Sequence, residues 1–122
     1  MAVRVFLVED RASMRAWMGD ALATAGHVLA GVAVSEAQAL SWLDEHPGAW
    51  DVAIVDLVLE EGSGFAVLRH ARHANESSTI VVFSSYVSDS VTEHCLAFGA
   101  DLVFDKHDKE RFAAWLRDGM RG

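Results

Sequence analysis

The run Val52-Ala53-Ile54-Val55 is apolar at every position, not at every second one, and it ends in a carboxylate, Asp56. Residues of this kind favour an extended backbone, and an extended segment that is apolar in both parities needs cover on both faces. That is the situation of a strand in a parallel sheet sandwiched between helices. In such sheets ligands bind in the crevice beyond the carboxyl ends of the strands, so Asp56 stands where chemistry is done. Taken alone, an Asp after a strand more often caps the next turn. The question is what else in the chain reaches the same edge.

The rest of the chain repeats the pattern. Val3 to Val8 is a second apolar run and stops at the adjacent acids Glu9 and Asp10. From Arg11 to Ala25 the positions Met14, Trp17, Met18, Ala21, Leu22 and Ala25 recur at three and four, which predicts an amphipathic helix ended by Gly26. His27 to Val34 reads as a strand. Ser35 and Gln38 have capping-box spacing and open a helix through Leu40 and Leu43 to Pro47. After Asp56, Gly62-Ser63-Gly64 makes a loop and Phe65, Val67, Leu68 and Ala71 form the inner face of a third helix. Thr79 to Phe83 is a fourth strand, followed by Ser84-Ser85-Tyr86. Ser88 or Asp89 caps a helix carrying Val91, Cys95, Leu96 and Phe98 and ended by Gly99. Leu102 to Phe104 is a short fifth strand with Lys106 just beyond it, and a last helix presents Phe112, Trp115 and Leu116. Five strands alternating with five helices predict right-handed crossovers and a doubly wound α/β sandwich.

The 122 residues suit one compact domain, and 52% hydrophobic content supplies its core. A formal charge of −8 and the lack of a basic stripe argue against nucleic acid as a partner. The single cysteine, Cys95, forms no internal disulfide and reads as a small buried helix residue, which suits a cytoplasmic protein. No apolar stretch is long enough for a membrane span, so no membrane partner is expected.

In a sheet of this kind the strand ends open on one edge, which gathers Glu9, Asp10, Asp56, Ser84 and Lys106. Three carboxylates crowded together raise one another's pKa values unless a cation intervenes. Mg²⁺ favours carboxylate oxygens, keeps several waters and leaves room for phosphate oxygens. Lys106 adds a point charge suited to a phosphoryl group, and Ser84 a hydroxyl. Phosphoryl transfer to a carboxylate needs mainly positioning and charge neutralisation, which this set offers.

These residues carry a resemblance. The pair Glu9-Asp10, Asp56 followed by Leu57 and Gly64, Ser84 after an apolar strand, and Gly99-Ala100 ahead of Lys106 have the order and spacing of the receiver domains of two-component response regulators, from Val3 to about Trp115. The resemblance implies a single receiver domain over residues 1–122, with a five-stranded parallel sheet in flavodoxin-like order 2-1-3-4-5. It implies Asp56 as phosphoacceptor, with Glu9, Asp10, Asp56 and the main-chain carbonyl of Val58 holding Mg²⁺. Ser84 and Lys106 would bind the phosphoryl oxygens. The expected donor is a sensor histidine kinase or phosphotransfer protein. Output would pass from the surface of helix four, strand five and helix five to a downstream protein or fused output domain, and a homodimer is compatible with it. Such a domain is no conventional enzyme; it catalyses its own phosphorylation and slow dephosphorylation.

The chain also departs from the family pattern. Glu60 stands where a proline is usual, which predicts a less constrained loop. His107 follows Lys106 where many members have a cis-proline, and a cis bond before His would cost about 3 kcal/mol or more, so a trans bond is expected. Val103 stands where an aromatic ring usually swings inward. These departures favour a rival reading, a receiver-like interaction module that is not phosphorylated. Against it, all five chemical positions are intact. Other classes fit less well. Val58 lacks the second Asp of acyl-phosphate hydrolases, Glu9-Asp10 would repel a flavin phosphate, and no phosphate-loop sequence occurs. His70 and His73 read as an outer helix face, and Met14, Trp17 and Met18 as packing.

Overall fold

The computed structural model describes residues 2–120, so the termini of the expected domain, 1 and 122, lie outside the described residues. Strands β1 (Arg4–Val8), β2 (Val28–Ala33), β3 (Val52–Val55), β4 (Thr79–Ser84) and β5 (Leu102–Asp105) form one parallel sheet in the order β2-β1-β3-β4-β5. Between them run α1 (Ala12–Thr24), α2 (Glu36–Glu45), α3 (Gly64–Ala74) and α4 (Asp89–Ala97), and α5 (Lys109–Ala114) follows β5. The predicted elements are all present, and their bounds move by a residue or two, because helix and strand ends fray into their caps.

The unalternating runs are explained by where successive side chains go. Phe6, Val8, Ala53, Val55, Ile80 and Val82 pack on one side of the sheet with Ala39 and Leu43 of α2, Val67, Leu68 and Ala71 of α3, and Cys95 of α4. Val5, Leu7, Val52, Ile54, Val81 and Phe83 pack on the other with Met18 and Leu22 of α1 and Phe112 of α5. Each parity of each central strand thus has its own apolar layer, and β3 is buried at all four positions. The expected roles of Cys95, Met18 and Trp17 as packing hold: Cys95 and Met18 are buried, and Trp17 lies 5.9 Å from Phe83, ring to ring.

Local chemistry sets the ends. Ser35 caps α2 by accepting from the Gln38 N–H at 3.2 Å, while the Gln38 side chain accepts from the Val34 N–H at 3.0 Å, one residue before the cap. Ser88, not Asp89, caps α4 through the Val91 N–H. The last helix is where the periodic reading falls short. It is α-helical only to Ala114, then widens into a π segment over Trp115–Gly119, although Phe112 and Leu116 remain buried as expected. The widened segment is tied down by His27, whose Nε2–H donates to the Leu116 carbonyl at 3.0 Å while its Nδ1 accepts from the Val3 N–H at 3.3 Å. Side-chain periodicity carries no trace of that bond. Every peptide bond among the described residues is trans, the Lys106–His107 bond included. No described helix is long and apolar enough to cross a membrane.

Candidate functional site

β1 and β3 are neighbours with Val8 opposite Val55, so the residues that follow them emerge side by side. The Asp56 N–H continues the ladder, donating to the Val8 carbonyl at 3.0 Å. The Glu9 N–H does the same on the other flank, to the Ala33 carbonyl of β2 at 3.0 Å. Main-chain pairing therefore fixes both acids at the sheet edge before any side-chain contact forms. Glu9, Asp10 and Asp56 each bring an oxygen within 4.8 Å of the others, the separation from which one cation can be held.

Lys106 follows β5 and bridges two of them. Its Nζ lies 2.6 Å from Glu9 Oε1 and 2.8 Å from Asp56 Oδ2. The side chains of Lys106, Glu9 and Asp56 are 10%, 3% and 8% exposed, so these ion pairs are shielded from water. Burial pushes the Glu9 carboxyl above its usual range, only partly offset by Lys106 and the Arg11 N–H. Burial opposes the charge on Lys106, but hydrogen bonds to Asp56 and Glu9 outweigh it and hold the ammonium above its ordinary value. The single positive charge of Lys106 thus faces more carboxylate charge than it can neutralise.

Asp56, Asp10, Val58, Lys106 and Tyr86 line an open cleft of about 580 Å³, with Glu9 buried beneath. Ser84 sits at the same edge, opposite Asp105 of β5, but it is fully buried and its hydroxyl accepts from the Tyr86 N–H at 3.1 Å. Of the six residues singled out in the sequence, five are brought together around the cleft. Ser84 is in place by strand position, with its hydroxyl oxygen accepting from the Tyr86 N–H. Val58 and Tyr86 expose 59% and 58% of their surfaces at the rim. Val103 is half-buried on the α4 side of β5.

The loop above the cleft differs from expectation. Without a proline at Glu60 it is nonetheless pinned: Val58 and Ser63 form an antiparallel bridge, the Gly64 N–H donates to Leu57 O at 3.0 Å, and the Glu60 N–H donates to Asp10 Oδ2 at 2.8 Å. Hydrogen bonds do the restraining that ring geometry would do. Gly64 is obligatory in this packing, since a Cβ there would overlap the Asp56 carbonyl oxygen.

Sequence reasoning missed three residues around the acids. The Arg11 N–H donates to Glu9 Oε2 at 3.1 Å, Arg15 Nη1 donates to the Glu9 carbonyl at 3.1 Å, and Lys109 reaches the cleft with its ammonium 5.2 Å from the Trp17 ring. A basic side chain one turn after the acidic pair was the available signal for Arg15, whereas Arg11 acts through its main chain, which its residue type does not mark. His70 donates its Nε2–H to Asp44 Oδ1, 2.7 Å away, on the outer face expected for it.

The sheet order, the helices on both faces and the acidic cleft at the carboxyl edge define a flavodoxin-like α/β protein with an acidic cluster at its strand ends. The family model for the response regulator receiver domain matches residues 5–117, and the chain belongs to that family. Solved structures agree in fold. A chain of the CheX–CheY–BeF3–Mg²⁺ complex from Borrelia burgdorferi is similar with a TM-score of 0.83 and 16% identity, over 93% of this chain and 87% of that one. The signal receiver domain of a putative response regulator NarL from Mycobacterium tuberculosis is similar at 0.81 and 23%, over 97% and 92%. The receiver domain of a sensor histidine kinase from Pseudomonas aeruginosa PAO1, solved with magnesium coordinated in its active-site cleft, is similar at 0.73 and 18%, over 95% and 98%.

Proposed function

We propose that the chain, over residues 1–122, is one receiver domain that accepts a phosphoryl group on Asp56 in a Mg²⁺-dependent reaction, with a phosphohistidine of a sensor kinase or phosphotransfer protein as donor. The observation that carries this reading is the cluster of Glu9, Asp10 and Asp56 in one cleft, with Lys106 spanning two of them.

The donor set suits a hard cation: three carboxylates within 4.8 Å of one another, none of them softened by a sulfur or imidazole neighbour in the cluster. Glu9, Asp10, Asp56 and the Val58 carbonyl are the residues that would hold it. When bound, Mg²⁺ supplies positive charge for the phosphoryl oxygens and relieves the repulsion among the carboxylates. An Asp56 oxygen attacks phosphorus; the new O–P bond forms as the donor P–N bond breaks, and the electron pair leaves with the imidazole. Lys106, which keeps its proton beside Asp56, is placed to transfer its hydrogen bonds from the carboxylates to an incoming phosphoryl oxygen. Ser84 reaches the same oxygens once its hydroxyl leaves the Tyr86 N–H, and that exchange pulls on the Ser85-Tyr86 segment ahead of α4. Output then passes through the surface of α4, β5 and α5 to a downstream protein or fused output domain. With Val103 too small for an aromatic swing, Tyr86, exposed at the rim, is the ring that moves.

Incubation with acetyl phosphate and Mg²⁺, followed by intact-mass measurement, tests the reading. One phosphoryl group is expected on the wild type, and none on Asp56→Asn or in excess chelator. Labelling of that variant would refute the assignment, and an unlabelled wild type would leave a receiver-like interaction module.

A further inference from the structure

The hairpin that carries Val58 into the cleft is fastened on its far side by one residue of another element. Glu36, the first residue of α2, accepts from the Ser63 N–H through Oε1 at 2.8 Å, and its own N–H donates to the Glu61 carbonyl at 3.1 Å. Between those two bonds Gly62 adopts φ +89°, and any Cβ there would overlap the Glu36 side chain. Ser63 is bridged to Val58, and the Glu60 N–H grips Asp10. An uninterrupted chain of contacts therefore runs from Glu36 through Ser63 and Glu61 to both Val58 and Asp10.

We infer that Glu36 is a positioning residue for the cation site, holding the 58–63 hairpin so that the Val58 carbonyl and the Asp10 carboxylate are set before a cation arrives. This rests on the reading that Asp10, Asp56 and Val58 hold Mg²⁺. The physical basis is pre-organisation: a ligand on an untethered hairpin loses conformational freedom on binding, and a tether removes that cost in advance. Glu36 touches no predicted ligand itself. An acid in a first helical turn also favours its helix through the macrodipole. The two roles separate cleanly, because Glu36→Gln removes the charge and keeps an oxygen to accept from Ser63.

The experiment measures free Mn²⁺ by electron paramagnetic resonance during titration of the wild type, Glu36→Ala, Glu36→Asp and Glu36→Gln, with amide hydrogen exchange at Ser63 followed in chelator. Glu36→Ala and Glu36→Asp, whose shorter side chain cannot span to Ser63, are expected to bind Mn²⁺ about 10-fold more weakly and to exchange the Ser63 amide faster. Glu36→Gln is expected to match the wild type in both. Should Glu36→Ala not fold, Glu36→Asp carries the same comparison. Unchanged Mn²⁺ affinity in Glu36→Asp despite faster exchange at Ser63 overturns the proposal, as does an equal loss in Glu36→Gln, which would assign the effect to charge. A wild type that binds no Mn²⁺ and takes no phosphoryl group overturns the reading of the site, and this proposal with it.

Discussion

Replacing Lys106 by methionine keeps most of the side chain's volume and removes its charge. In the structure that ammonium is the sole cation within hydrogen-bond reach of the Glu9 and Asp56 carboxylates among the described residues, at 2.6 and 2.8 Å, and all three side chains are at most 10% exposed. Removing one partner of a buried ion pair costs about 3–5 kcal/mol, most of it from the charge left behind. Here two carboxylates are left, with Asp10 close by. Part of the cost is recovered because Glu9, already pushed up by burial, takes up a proton instead of remaining charged. A loss of about 3 kcal/mol in chelator at neutral pH follows. For a domain of this size that lowers Tm by about 10–15 °C. Mg²⁺ should raise the melting temperature of the variant more than that of the wild type, since no ammonium competes for the carboxylates, and a cation at about 100 times its Kd returns about 2.7 kcal/mol. Thermal denaturation followed by circular dichroism, with chelator and with Mg²⁺, reads both effects. If Lys106→Met melts with the wild type in chelator, the acids are solvated or neutral without Lys106, and the electrostatic account of the cleft is wrong.

Three other outcomes are expected. Self-hydrolysis of the phosphorylated protein should be slow, because the rim residues Val58 and Tyr86 offer no carboxylate or amide to orient water; Val58→Asn with Tyr86→Glu should lose phosphate at least about 10-fold faster, and a wild type that decays faster than the double variant refutes this. Glu9 has its folded pKa raised, so its favourable contribution is complete below the unfolded value and is lost as pH rises through the folded one. In chelator, urea denaturation should therefore show the wild type losing stability relative to Glu9→Gln as pH rises through that window, and a pH-independent difference between the two would contradict the assignment. His27→Ala leaves the Val3 N–H and the Leu116 carbonyl without their partner and should cost about 3 kcal/mol in urea denaturation; a stability equal to the wild type would mean that water replaces the imidazole.

What the sequence determined by itself is the fold and the roster of acids, because both are written in local order. Hydrophobic periodicity depends on near neighbours, so apolar runs such as Val52–Val55 and helical spacings such as Met14, Met18 and Leu22 specify their elements without reference to the rest of the chain. Right-handed crossovers then oblige Glu9, Asp56 and Lys106 to share one edge. Tertiary structure decided what a one-dimensional pattern cannot carry: which atoms meet across long separations. Lys106 lies 97 residues from Glu9, and His27 reaches 89 residues to Leu116. The same holds for the Glu60 loop, whose missing proline predicted freedom and whose hydrogen bonds to Asp10, and through Ser63 to Glu36, supply restraint. The sequence places Ser84 at the end of β4 but does not say where its hydroxyl turns, and in the structure it accepts from the Tyr86 N–H. Strand order places a residue at the edge; only packing and hydrogen-bond competition among its neighbours aim its side chain.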